Sequence, residues 1–302
     1  MNRRNFISAA ALASAAPALP LTGSTPTQSK IKLSVSSYSY WHFKGDKFPI
    51  EKVIDEAAKL GLDGIDVLHR QMESEDNAYL QKLKKHAFLN GIAMTCLSIH
   101  QGFVTPDKAE LKKHVDHTNH CIELAYKMGI PCLRLNTGRW NTIKSFDDLM
   151  ANRGVEPILP GYTEDDGYKW CVDGIQQCLQ KAEECGVLLA LENHWGLGST
   201  PEGMLRIHDT VNSPWLGLLM DTGNFLENPY DKLEKIVSKT SFVQAKTYYG
   251  GGEWYSLELD YERIVKMLKR ANYQGYISIE FEGKEPGSIG VQKSVDLLRK
   301  YL

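Results

Sequence analysis

A single α/β domain, an eight-stranded (β/α)8 TIM barrel, is the fold this sequence predicts, and three observations predict it. Eight short apolar runs each give way to a polar turn and then to a stretch of hydrophobic period near 3.6. Strict alternation of this kind demands parallel strands, because every crossover is a helix. Leu60-Gly61, Met128-Gly129, Cys185-Gly186 and Gln274-Gly275 each fall between a helix and the next strand, where glycine is expected to supply the left-handed turn that ends a helix. No G-x-G-x-x-G follows the first strand, which favours a closed barrel over a doubly wound sheet.

In chain order, strand 32–38 precedes a helix near 49–60, strand 64–68 precedes 77–90, strand 92–99 precedes 107–129, and strand 132–136 precedes 166–185. Residues 137–165 are rich in Gly, Pro, Asn and Asp and show no period, so they are expected to form a lid-like loop after the fourth strand. Strand 187–193 then precedes helix 201–212, strand 216–221 precedes 230–238, strand 241–247 precedes 260–271, and strand 276–281 precedes 290–301.

The chain has 302 residues, 42% hydrophobic and 24% charged, with a formal net charge of −2. That composition supports a large core. No basic run exceeds short pairs such as Lys112-Lys113, so the footprint of a nucleic-acid binder is missing and a small-molecule partner is expected. Residues 1–29 contain no acid; Arg3-Arg4 are followed by Phe6 and an Ala/Leu run ending in small residues. This stretch resembles a twin-arginine export signal, with the barrel occupying 30–302 and a periplasmic or otherwise exported location implied. It is too short and weak for a membrane span, and no cysteine follows it to carry a lipid, so stable membrane association is not expected.

Export raises the question of disulfides for the six cysteines. Cys171, Cys178 and Cys185 recur every seven residues on one predicted helix, about 10 Å apart per step, too far to bridge. Cys96 and Cys132 lie inside strand patterns and read as small buried hydrophobes.

The polar residues that carry chemistry fall where strands end. Leu191 is followed by Glu192-Asn193-His194-Trp195, Met220 by Asp221-Thr222-Gly223-Asn224, strand seven carries Gln244 and Lys246, and strand eight carries Glu280 and Glu282. The carboxyl ends of barrel strands are where such enzymes keep their active sites. Carboxylates embedded in apolar runs need neutralising, and one divalent cation on Glu192, Asp221, Gln244 and Glu280 would do so. Three carboxylates and an amide oxygen form a hard set, favouring Mn²⁺, with Mg²⁺, Co²⁺ and Zn²⁺ as alternatives.

Through LENHW at 191–195, LLMDTGN at 218–224, QAK at 244–246 and ISIEFEG at 277–283, the chain resembles the sugar-phosphate isomerase/epimerase superfamily of xylose-isomerase-like barrels. The resemblance covers roughly residues 31 to 302. It implies a Glu, Asp, His, Glu metal site, carried here by Glu192, Asp221, Gln244 and Glu280, and it implies that the two glutamates move protons at adjacent sugar carbons. Gln244 stands where the family usually has histidine, and Asn224 where many members have another. The amide hardens the site and weakens the case for a multi-zinc cluster of the kind that cuts abasic DNA.

His194 falls on the same side of its strand as Glu192, which makes it the rival base; Lys246 bears that relation to Gln244 and could hold a developing oxyanion. His100 ends strand three, and either a structural or a substrate-binding role fits it. Tyr38, Tyr40, Trp41, Trp140, Trp195, Tyr248, Tyr249 and Trp254 gather in the mouth loops. Of these, Tyr38, Trp41, Trp195 and Trp254, with His100 and Asn224, are the substrate-binding candidates, since sugar C–H faces pack on aromatic rings. The rings could instead seal the barrel top or form a contact in a homo-oligomer.

The function expected is metal-dependent isomerisation or epimerisation of a non-phosphorylated sugar, by proton abstraction next to a carbonyl. Elimination of the C1 substituent from a 3-keto-glycoside uses the same chemistry and is the alternative. A third reading is a carbohydrate-binding barrel that has lost catalysis, with Gln244 and Asn224 as its traces.

Overall fold

In a computed structural model of the chain, residues 30–302 are described. The export-signal reading of residues 1–29 lies outside them. Eight parallel strands close in sequence order, the last pairing with the first. They are β1 (Lys32–Ser36), β2 (Gly64–Leu68), β3 (Ala93–Ser98), β4 (Cys132–Leu135), β5 (Leu188–Glu192), β6 (Leu216–Asp221), β7 (Thr240–Thr247) and β8 (Tyr276–Phe281). The helices are α1 (Ile50–Lys59), α2 (Asn77–Leu89), α3 (Lys108–Met128), α4 (Phe146–Ala151), α5 (Glu164–Cys185), α6 (Pro201–Val211), α7 (Pro229–Ile236), α8 (Tyr261–Arg270) and α9 (Gly287–Arg299).

Every strand runs within two residues of its expected span. The first stops at Ser36 rather than residue 38, because Ser37–Tyr40 tighten into a 3₁₀ turn. The stretch 137–165 is not wholly irregular: Ser145 caps α4 by accepting from the Asp148 N–H at 3.3 Å. Around it, Glu156 pairs with Arg139 and accepts the Ile143 N–H at 2.9 Å, so the loop is tied to itself by a carboxylate. The α5 helix begins two residues earlier than its apolar period suggests, because Thr163 and Asp166 form a reciprocal capping box.

Gly61, Gly129 and Gly186 have φ of 62°, 74° and 65° and end their helices as expected. Gly275 does not: the left-handed residue there is Asn272, at φ 55°. Asparagine tolerates that region through local hydrogen bonding. Gly275 is required for another reason, since a Cβ there would lie 2.3 Å from the Tyr273 hydroxyl.

Alternation splits each strand into two faces. Leu133, Leu189, Leu218, Val243 and Ile277 face the helices and join the main core, while Cys96, Cys132, Ala190, Leu219 and Phe242 form a separate plug inside the barrel. All six cysteines are free thiols. Among the described residues no helix is long and apolar enough to cross a membrane.

Gly196, after β5, has φ 75° and its Cβ position lies 2.1 Å from the Gly138 carbonyl oxygen. Gly196→Ala therefore combines left-handed strain with a backbone clash. We expect a loss of about 1–3 kcal/mol in denaturant unfolding, and an unchanged midpoint would show that the two mouth loops are not packed this way.

Candidate active site

Two residues beyond the barrel plug, the same strands turn polar. Cys96 leads to Ser98, Cys132 to Arg134, Ala190 to Glu192, Leu219 to Asp221 and Phe242 to Gln244. On β8, Tyr276 leads to Ser278 and then Glu280. The interior thus changes from apolar floor to charged layer within one pleat, at the end where the barrel opens.

Glu192 is held by three donors. Asn136 Nδ2 reaches Oε2 at 2.6 Å, Asn224 Nδ2 reaches Oε1 at 3.2 Å, and the buried Arg134 guanidinium lies 3.2 Å from Oε2. Glu280 is freer: its charge partner is Lys246 Nζ at 3.6 Å. Lys246 also donates to Asn224 Oδ1 at 3.0 Å and to Glu282 Oε1 at 3.1 Å, and lies 3.6 Å from Asp221 Oδ2. Burial opposes its charge, but Asp221 and Glu282 more than offset that and hold the ammonium well above the usual lysine range.

Asp221 is oriented by backbone: the Gly223 N–H donates to Oδ1 at 2.7 Å, leaving the buried Oδ2 without a hydrogen-bond donor. Burial pushes its carboxyl well up, against the pull of Lys246 and with the help of Glu280 and Glu192. Gln244 is fixed from the other side, donating Nε2 to Asp66 Oδ2 at 2.9 Å while Oε1 is left buried and unpartnered. Asp66 itself accepts from Ser98 Oγ at 2.8 Å. It sits at a register shift between β2 and β3, a common device for re-aiming a side chain beside a site.

Two orphaned buried oxygens, on Asp221 and Gln244, among carboxylates short of positive charge, fit a hard divalent cation. Glu192 and Glu280 would complete the set. The Asp66 contact matters because it decides which end of the Gln244 amide faces inward, as outer partners do for metal ligands.

Above this layer lies a cavity of about 540 Å³ lined by Glu192, Glu280, Glu282, Lys246 and His194, with Tyr38, Trp195 and Trp254 as its aromatic walls. Phe146 of α4 stands 5.5 Å from the Trp195 ring and 5.3 Å from Trp254, centroid to centroid, so the β4 loop does reach over the mouth. A second cavity of about 460 Å³ shares His100, His194 and Trp195 with the first and adds Trp140 and Leu159. Burial, then Arg134 and Lys246, push His194 well below the usual imidazole range. Burial, then Arg134 and Arg70, bring His100 down to about 2. Both rings are neutral near pH 7.

Residues 54–301 match the model of the Xylose isomerase-like TIM barrel. The chain belongs to that family. An inosose dehydratase from Clostridium beijerinckii is 25% identical over 173 residues, 48% of this chain and 58% of the relative. A mannonate dehydratase from Geobacillus thermodenitrificans is 26% identical over 144 residues, 40% and 39% of the two chains. The chain therefore spans under two thirds of the length of these relatives. Among solved structures, D-psicose 3-epimerase from Clostridium cellulolyticum, with D-tagatose, has TM-score 0.69 at 16% identity over 90% of this chain and 99% of the other. The apo 3-keto-D-glucoside 4-epimerase from E. coli has TM-score 0.69 at 15% identity over 90% and 100%. At these identities the structural likeness is one of fold.

In this xylose isomerase-like barrel, most residues singled out by sequence gather at one mouth, with two exceptions among the substrate-binding candidates. Trp41 turns away: its indole N–H donates to the Gly45 carbonyl at 3.3 Å and its ring packs on Phe43 at 4.8 Å. Left-handed His42 and Phe43, at φ 53° and 57°, send Phe43 into the cavity in its place. Asn224 lies below the cavity wall and bridges Glu192 to Lys246. Sequence reasoning does not single out Asp66, Arg134 or Asn136, and it places Glu282 beside Glu280 at the end of strand eight without giving it a role. Asp66 in GIDVL and Arg134 in CLRL carried the same signal as the carboxylates, a charge inside an apolar strand.

Asp66→Ala should free the Gln244 amide to turn. We expect about a 10–100-fold weaker affinity for Mn²⁺ by titration calorimetry, with Asp66→Asn retaining more of it. Equal affinity in wild type and Asp66→Ala would remove Asp66 from the site.

Proposed function

We propose that this chain is a metal-dependent sugar isomerase or epimerase that acts on a non-phosphorylated carbohydrate through an enediolate. The observation that carries the reading is the pairing of a pinned carboxylate with a free one, Glu192 and Glu280, over orphaned oxygens at the floor of a sugar-sized cavity. A divalent cation on Glu192, Asp221, Gln244 and Glu280, Mn²⁺ by the hardness of the set, would chelate neighbouring carbonyl and hydroxyl oxygens and acidify the C–H bond between them.

Glu280, which faces the Lys246 ammonium at 3.6 Å and is not pinned by hydrogen-bond donors as Glu192 is, takes the proton from carbon, and the electron pair passes into the carbonyl oxygen. Glu192 serves the other carbon or face, and Asn136, Asn224 and Arg134 fix its direction. Lys246 faces the charge that develops on oxygen. His194 is the rival base, unprotonated but weakened by burial. Return of the proton to the adjacent carbon isomerises the sugar, and return to the opposite face epimerises it. Tyr38, Trp195 and Trp254 supply stacking surfaces. The cavity lining sets Lys44, Arg70, Arg134 and Lys246 against Glu192, Glu253, Glu280 and Glu282, so it carries no excess of positive charge to select a phosphate dianion, and a neutral sugar is the substrate proposed.

The second cavity favours a second reading. A glycoside seated at the mouth would extend its C1 substituent between Trp140 and Trp195, and the same enediolate of a 3-keto-glycoside could expel that substituent. The test is to incubate the protein and Mn²⁺ with ketoses, aldoses and 3-keto-glycosides in D₂O. Deuterium at carbon with mass otherwise conserved supports isomerase or epimerase chemistry, and a released aglycone supports elimination. Binding of sugars without exchange or release would leave only the carbohydrate-binding barrel.

A further inference from the structure

Outside the mouth, the turn after β2 and the helix α3 bring two imidazoles and a thiol together. His69 Nδ1 lies 3.9 Å from Cys121 Sγ, and the nearer nitrogen of His117 lies 3.8 Å from it. One donor atom from each of the three can be chosen so that all lie within 4.8 Å of one another. His117 and Cys121 are four apart on α3 and so share one helix face. We propose that His69, His117 and Cys121 form a second metal site, for a borderline-soft divalent cation, Zn²⁺ by its two-imidazole, one-thiolate donor set.

Three features support it. A tetrahedral site with Zn–S about 2.3 Å and Zn–N about 2.0 Å separates sulfur from nitrogen by about 3.5 Å. The two observed S···N separations need to close by only a few tenths of an ångström, while the ring nitrogens of His69 and His117, within 4.8 Å of each other, must close to about 3.3 Å. His69 is oriented as ligating histidines are, since its Nε2 meets Glu75 Oε1 at 2.7 Å and leaves the Nδ1 lone pair for Cys121. Glu75 is itself braced by His120 Nε2 at 2.7 Å. Finally, a cavity of about 500 Å³ opens beside His69 and His117, where water can take the fourth position.

Burial pushes His117 below the usual imidazole range and so favours the neutral ring a metal needs. It pushes the Cys121 thiol up to about 12, so binding forms the Zn–S bond, breaks S–H and passes the proton to water. The consequence for the barrel is local: His69 adjoins Arg70, which lines the mouth cavity. A cation at His69 anchors that turn to α3. The donor set differs from the oxygen-rich set at the mouth, so the two sites should take different metals.

Chelator-stripped protein titrated with Co²⁺ should develop a near-ultraviolet thiolate-to-cobalt charge-transfer band that Zn²⁺ bleaches. Cys121→Ser should lose the band, His117→Gln should lose most of it, and Glu75→Gln should weaken Zn²⁺ binding about 10–100-fold. Asp221→Asn, at the mouth, should keep the band, and circular dichroism checks the fold of each variant. His117 is half-buried, so His117→Gln serves if the buried Cys121→Ser does not fold. No thiolate band in folded wild type, or a band that survives His117→Gln at full strength, overturns the proposal.

Discussion

Glu280→Gln is expected to lower proton exchange into sugar by about 10²–10⁴-fold, the usual contribution of a positioned acid or base. The amide keeps the shape of the side chain but cannot take a proton. Glu192→Gln should lose a comparable factor for a second reason as well: three donors, Asn136, Asn224 and Arg134, converge on a carboxylate, and an amide would turn an N–H toward one of them. The readout is deuterium incorporation by NMR, on whichever sugar the wild type labels. Exchange in Glu280→Gln at the wild-type rate would assign the proton to another group, with His194 next in line. Retention of exchange in both variants would remove the carboxylates from the chemistry altogether.

Arg134→Met is the change expected to cost most stability. The guanidinium is buried among carboxylates, 3.2 Å from Glu192, and donates to the Ile99 carbonyl at 3.0 Å. Methionine fills much of the space but leaves Glu192 as a buried charge without its cation, a change that costs about 3–5 kcal/mol. In a protein of this size the thermal midpoint should fall by on the order of 10 °C. Measurement on metal-free protein is required, because a cation at the mouth would partly replace the lost charge. Arg134→Met with Glu192→Gln should recover part of the loss, since the double variant no longer leaves Glu192 charged without its cation, while Glu280 and Asp66 still lose the guanidinium. If the single variant melts with wild type, the ion pair carries little of the barrel's stability.

The β/α alternation was legible because period and punctuation are local properties, and each strand carries its own signal. Glu192, Asp221, Gln244 and Glu280 were legible for the same reason: each stands at the end of an apolar run, and eight parallel strands with one sense must place all such ends at one mouth. Less local matters went differently. Gly275 was assigned a left-handed role that Asn272 performs, because a turn can take that residue at any of several positions. Trp41 and Phe43 exchanged places because left-handed residues at 42 and 43 reverse which ring faces inward.

What the sequence by itself determined is the barrel, its mouth and the residue types that gather there, since strand alternation and strand ends are written within single segments. Only the tertiary structure decided the partnerships. Asp66 meets Gln244 across 178 residues, Arg134 meets Glu192 on the neighbouring strand, and His69 meets Cys121 across 52. Such pairs arise from barrel closure, strand register and the rotation of a helix about its axis, and those are set by packing summed over the whole domain. No segment of the chain holds that information alone.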